Sequence, residues 1–187
     1  MQRDELIRRY AAGERDFSNA DLSDINLAGT KLSGINLIRA DLTQTSLKSA
    51  NLCGAFLVMA RLSAADLRGM TAIVANFSGA DLSRANLNEA HLNEAVLTGT
   101  CLAHAQLSSA SLQGAILAGA NLAQANLRQA DLQGANLYGA NLQGADLRQA
   151  NLLGTNLRGA NLTDAQLPSD CSVLKGRGEQ ANQLFQV

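Results

Sequence analysis

Ala140 to Leu162 read ANLQGADLRQANLLGTNLRGANL. Leucine returns at every fifth residue, alanine or threonine stands two places before it, and asparagine or aspartate stands one place before it. A five-residue period fits neither the 3.6-residue turn of an α-helix nor the endless alternation of a flat strand. Alternation does hold inside each unit: alanine and leucine, two apart, point the same way, as on a strand. The two residues that follow must turn the chain before the pattern restarts. Glycine often stands there, and glycine accepts the positive φ of a tight corner.

Followed outward, the register runs without insertion from Phe17 to Leu167. Of 31 centres, 28 are Leu, two are Phe (Phe17 and Phe77) and one is Ala72. Alanine precedes the centre by two in 23 units, Asp or Asn precedes it by one in 19, and glycine follows it by two in 13. Each unit therefore reads as one short side and one corner. Stacked sides bury alanine and leucine and pair the backbone from coil to coil.

The A-(D/N)-L-x-x unit resembles the pentapeptide-repeat family, over positions 15 to 169. That resemblance implies an all-β fold, a right-handed quadrilateral parallel β-helix with four units per coil. Thirty-one units then make nearly eight coils, a rod roughly 37 Å long at ~4.8 Å per coil. Asn121, Asn141 and Asn161 are expected to stack in one ladder. The clean repeat and the stretch RRYAAGERDFS (Arg8–Ser18) also resemble cyanobacterial members, some of which act in developmental or stress signalling through protein contacts.

The composition agrees with a repeat. Hydrophobic residues make up 47% of the 187, aromatics only 3%, and there is no Trp. Net charge is −1, so no bulk field for nucleic acid is expected. The start has no signal-like apolar run and no stretch is long enough to span a membrane, which predicts a cytoplasmic protein. Cys53, Cys101 and Cys171 lie far apart, as reduced thiols do.

Residues 1–14 are expected to form an N-terminal capping helix, 15–169 the β-helix, and 170–187 a C-terminal cap or tail. Asp4 reads as the N-cap, Glu5–Arg9 as an i,i+4 pair, and Gly13 as the stop. Leu6 and Tyr10 share the apolar face of this lid. Arg15, a charge at an alanine position, belongs at the rim. Pro168 stops the repeat. Beyond it, Leu184, Phe185 and Val187 fold back on the last coil or form a C-terminal-end homodimer, so the chain is expected to be a monomer or such a dimer.

One unit is irregular. In LRGMTAIVANF (Leu67–Phe77) the centre is Ala72, but the small position before it holds Met70, so a flexible side chain fills the volume leucine would have taken. Ile73 and Val74 then occupy outward positions where the repeat is usually polar or glycine. Wrapped at twenty residues per coil, they stand at the corner leading onto a face centred on Phe17, Leu37, Leu57 and Phe77. That face carries Ile38, Phe56, Val58, Met59, Val96, Ile116 and Tyr138 outward. These nine residues form an apolar stripe across about five coils, on the order of 20 Å, expected to contact a protein partner.

Catalytic chemistry is missing from the pattern. No catalytic constellation, metal site, cofactor or phosphate loop is expected. Cys101 and His104 share a face but supply only two ligands. Asp41, Arg61 and Asp81 read as a charge ladder. Lys48, Arg68, Arg128 and Arg148 form a column too sparse and too poor in aromatics for a nucleic-acid tract. A non-enzymatic protein-interaction or regulatory module follows. The alternative comes from the resemblance: some family members mimic DNA and bind type II topoisomerases such as DNA gyrase. Here the most acidic face has Asp21, Asp24, Asp41, Asp81 and Asp164 against Arg61 and Arg84, a thin surplus.

Overall fold

Each five-residue unit forms one side of a coil, and its backbone pairs with the unit twenty residues on. The computed structural model describes residues 1–169. Parallel bridges join residues 20 apart from Asp16↔Asn36 to Asp146↔Gln166. With five residues to a side, the coil is four-sided. The sides are too short to be strands in the ordinary sense. Each contributes a single bridging residue per coil, and the regular element is the coil-to-coil ladder.

The ladder repeats one hydrogen-bond set. Leu22 N–H donates to Asp41 C=O (2.8 Å), Asp41 N–H to Ala20 C=O (2.9 Å) and Asp24 N–H to Thr43 C=O (3.0 Å). The corner closes on itself, Ala20 N–H donating to Phe17 C=O (3.2 Å). Positive φ recurs at the third residue of these turns, the mark of a type II turn. Thirteen corners use glycine for this, and seventeen from Asn19 to Asp164 hold some other residue in the same left-handed conformation.

The Asp or Asn before each centre explains how those corners are held. Its Oδ1 accepts the N–H two residues on, in every one of the nineteen units that has such a residue. The side chain mimics a backbone turn and fixes the chain as it enters the corner. Several of these amides also donate upward, as in Asn161 to Asn141 (3.1 Å) and Asn141 to Asn121 (3.2 Å), so the expected ladder forms.

Inside, centres and alanines stack in columns, almost all with no exposed surface. Met70 and Ala72 are both fully buried, so the exchange of large for small is a core exchange. Thr45 and Thr100 replace core alanines and donate to the carbonyls of Leu22 (2.5 Å) and Phe77 (2.8 Å), which satisfies their hydroxyls.

Helix α1 spans Arg3–Ala11. Leu6 is fully buried in the same cluster as the leucines of the first coil, with Met1, Ile7 and Tyr10 packed against it. Tyr10 Oη donates to Ser33 C=O (2.8 Å), and the amino terminus to Asp21 C=O (2.5 Å). Gly13 follows the helix at φ +97°. Its N–H donates to Tyr10 C=O (3.0 Å) and that of Glu14 to Arg9 C=O (3.1 Å), a Schellman motif that ends the helix as expected.

Asp4 is not the N-cap. The helix begins one residue earlier, Gln2 takes that place without a side-chain bond, and Asp4 lies in the first turn, where its charge still suits the helix dipole. Arg9 meets Glu5 (3.4 Å) but is held more closely by Glu14, which grips it with both carboxylate oxygens. Arg15 is exposed and lies over the Tyr10 ring (3.9 Å). The calls on Cys171, Leu184, Phe185 and Val187 lie outside the described residues.

Candidate functional site

Four faces follow from the ladder, and one differs from the rest. Face 1 is centred on Phe17, Leu37, Leu57, Phe77, Leu97, Leu117, Leu137 and Leu157. Its bridging column runs Asp16, Asn36, Phe56, Asn76, Val96, Ile116, Asn136, Asn156. Val58 and Ile116, 58 residues apart in sequence, therefore share this face. Faces 2, 3 and 4 follow in chain order, centred first on Leu22, Leu27 and Leu32.

The structure puts all nine predicted contact residues on face 1 or at the corner leading onto it. Phe56 is 49% exposed, Met59 55%, Val74 54% and Tyr138 55%. Ile73 and Ile116 are also exposed, while Ile38, Val58 and Val96 are half-buried. Met59 runs up the edge of the rod: a Cβ placed on Gly79 would stand 3.6 Å from its Cγ, so glycine there leaves it room. Sequence reasoning missed Leu153, 52% exposed. It stands in the same column as Ile73, four coils on. Every large apolar side chain exposed among the described residues thus lies on face 1 or at the corner leading onto it, in the columns of Ile73 and Val74.

The charges lie mostly elsewhere. On face 3 the Asp146 carboxylate is chelated by Arg148 (2.6 and 2.9 Å) and approached by Arg128 (3.6 Å). The bonds from Arg148, assisted by the turn N–H and the charge of Arg128, lower its pKa to about 2. Arg68 chelates Asp66 the same way and holds that carboxyl below its usual range. On face 2, Arg61 pairs with Asp41 (3.3 Å) but not with Asp81, whose Oδ1 accepts from Ser83 N–H (2.9 Å). The expected three-residue charge ladder is one ion pair and one capped turn. His91 and His104 stand on different faces, and no group of three His, Cys, Asp or Glu suited to a metal occurs among the described residues.

A four-sided β-helix with side chains aimed outward from rigid flat faces defines a class of proteins with recognisable relatives. The pentapeptide-repeat family model matches in eight copies, over residues 20–57, 31–69, 75–114, 105–144 and 140–168, and the chain belongs to that family. The matches leave out 70–74, the irregular unit of Met70 and Ala72. Proteins of this family are right-handed quadrilateral β-helices.

Among solved structures, the chain is similar to HetL, a pentapeptide-repeat protein involved in heterocyst differentiation regulation from the cyanobacterium Nostoc sp. strain PCC 7120. Identity is 33% over 89% of this chain and 94% of that one, with a TM-score of 0.34. It is similar also to Rfr23 from the cyanobacterium Cyanothece 51142, at 29% identity over 88% and 97%, TM-score 0.39. A trypsin-treated variant of QnrB1, a plasmid-mediated fluoroquinolone resistance protein, shares 22% identity over 90% and 85%, TM-score 0.60, a likeness of fold. No match is found among curated proteins.

Proposed function

We propose that this protein is a non-enzymatic interaction module that binds another protein through the apolar stripe of face 1. One observation carries the reading: the large exposed apolar side chains are gathered on one face and the corner leading onto it, with none on faces 2 and 3 among the described residues. A rod has surface to spare on four sides, so random drift would scatter such residues. The shifted carboxylates support the non-enzymatic part, because each is explained by a neighbouring hydroxyl, a turn N–H or an arginine. A regulatory role for the contact rests on the family resemblance.

In the same reading α1 is a lid on the first coil, with residues 1–14 as cap and 15–169 as β-helix. Leu6 supports it, since a helix of this length has no stability of its own. The DNA-mimic alternative is weakened on the acidic face, where Arg61 neutralises Asp41.

Capture from native lysate by two baits tests the contact. One bait is the wild type and the other carries Phe56→Asp and Val58→Lys, outward changes that leave the core intact. A protein held by the first and lost by the second is expected. Identical catches from both would remove the stripe from consideration.

A further inference from the structure

The charges on face 1 narrow the kind of partner. From the second coil to the eighth, this face has no acidic side chain. Its charged residues are Arg39 at one end and Arg158 at the other, both exposed. Neither guanidinium has an ion pair or a hydrogen bond among the described residues, unlike Arg61, Arg68 and Arg148. Six coil steps at ~4.8 Å put them about 29 Å apart, with the stripe between them.

A second copy of this chain fits that layout poorly. A two-fold contact pairs the face with itself, the rods running either opposed or parallel. Opposed and centred on Val96, midway between the arginines, it sets Arg39 of each copy against Arg158 of the other; parallel, it sets each arginine beside its own counterpart, so like charges meet at both ends either way. An added β-strand fits no better. The backbone of face 1 is already spent on the coil-to-coil ladder, as in Val96 N–H to Ala75 C=O (2.9 Å) and Phe77 N–H to Val96 C=O (2.7 Å). A strand laid on a side face would leave its own N–H and C=O groups without partners. An α-helix brings its backbone already satisfied and needs only an apolar surface. The edge toward face 2 gives it room, because Gly79, Gly99, Gly119, Gly139 and Gly159 run along that corner without side chains. Positive φ alone does not demand glycine there, since Met59 takes the same conformation in the same column.

We propose that face 1 receives an α-helix of a different protein, laid along the rod axis. The helix is apolar on one side and carries Asp or Glu near both ends. At 1.5 Å per residue, about nineteen residues bridge the two arginines. The inference rests on the stripe being a contact, and it adds the chemistry of what the stripe contacts.

The test is selection from a displayed library of random 20-residue peptides over the immobilised full-length protein, with no partner assumed. Synthetic copies of enriched peptides are then titrated against wild type, against Phe56→Asp/Val58→Lys and against Arg39→Glu/Arg158→Glu. A milder variant, Ile116→Ser/Tyr138→Ser, stands in for the first should that one melt early. The expected peptides have apolar residues at helical spacing and acids at both ends, and they lose about tenfold or more in affinity on either kind of variant. Peptides that need Phe56 and Val58 but ignore the arginine reversal would overturn this inference and leave the stripe standing. Peptides indifferent to the stripe variants, or no enrichment at all, would sink both. Sedimentation of the wild type is expected to be unchanged by Phe56→Asp/Val58→Lys. A dimer that those changes dissolve would make a second copy the occupant and end the proposal.

Discussion

Val74 is β-branched and sits at φ 51°, a conformation that costs most side chains about 1–2 kcal/mol. Glycine does this job at thirteen other corners. Val74→Gly is therefore expected to stabilise the fold by about 1 kcal/mol, read as a higher urea midpoint at unchanged slope. A lower midpoint would mean that its contacts outweigh the strain. Met70 and Ala72 invite a cycle. Met70→Ala should cost ~2–5 kcal/mol, Ala72→Leu alone ~1–3 by overpacking, and the double change should recover most of the loss. Simple additivity would end the idea of exchanged volumes. The sequence showed this pair directly, because a strict register makes one exception obvious. It showed the preference for Asp or Asn before each centre but not its cause, since spacing does not reveal which N–H an Oδ1 accepts. It also hid seventeen left-handed corners, because only glycine advertises that conformation.

At the scale of elements, α1 and the face 3 ion pairs make separate predictions. If α1 covers the first coil, Leu6→Ala should cost ~2–5 kcal/mol and speed amide exchange at Asn36 and Asp41, whose N–H groups bind Arg15 and Ala20 in that coil. Exchange raised only within the helix would make α1 an appendage. Asp146 gives the pH dependence. Its folded pKa, about 2, lies below the ordinary 3.8, so the ion pair stabilises the fold fully above that ordinary value and is lost as pH falls toward 2. Asp146→Asn keeps the turn acceptor and removes the charge. Its stability should fall short of the wild type above pH 4 by less than about 1 kcal/mol, because Arg148 is half-exposed, and the gap should shrink as pH falls through 2. A gap that stays constant across that range would assign the loss to the corner rather than the charge. The helix and its glycine stop were legible from apolar spacing. The N-cap was not, because Asp4 suits the first turn as well as the cap, and Glu14 as the main partner of Arg9 was hidden by the turn at Gly13 that brings it back.

For the whole molecule, the five-residue period dictated a stack of sides and corners. The number four came with the family resemblance, and the bridges at 20 residues bear it out. Once that wrap was in hand, the stripe could be drawn from sequence, because a rigid repeat fixes the direction of every side chain. Leu153 was overlooked although the same arithmetic places it in Ile73's column. That Arg39 and Arg158 have no ion pair among the described residues needed coordinates, since sequence neighbours do not show which arginines find carboxylates. Phe56→Asp/Val58→Lys should move stability by no more than about 0.5 kcal/mol while abolishing capture, which separates the surface from the core.

The most direct measurement is hydroxyl-radical footprinting of the full-length protein, free and bound to the protein it captures. Phe56, Met59 and Tyr138 are exposed and oxidise readily, and Tyr10 and Met1 at α1 serve as internal references. Protection of all three stripe residues with the references unchanged is the predicted result. Protection confined to other faces, with Phe56, Met59 and Tyr138 as reactive as in the free protein, would contradict the assignment of face 1 as the binding surface.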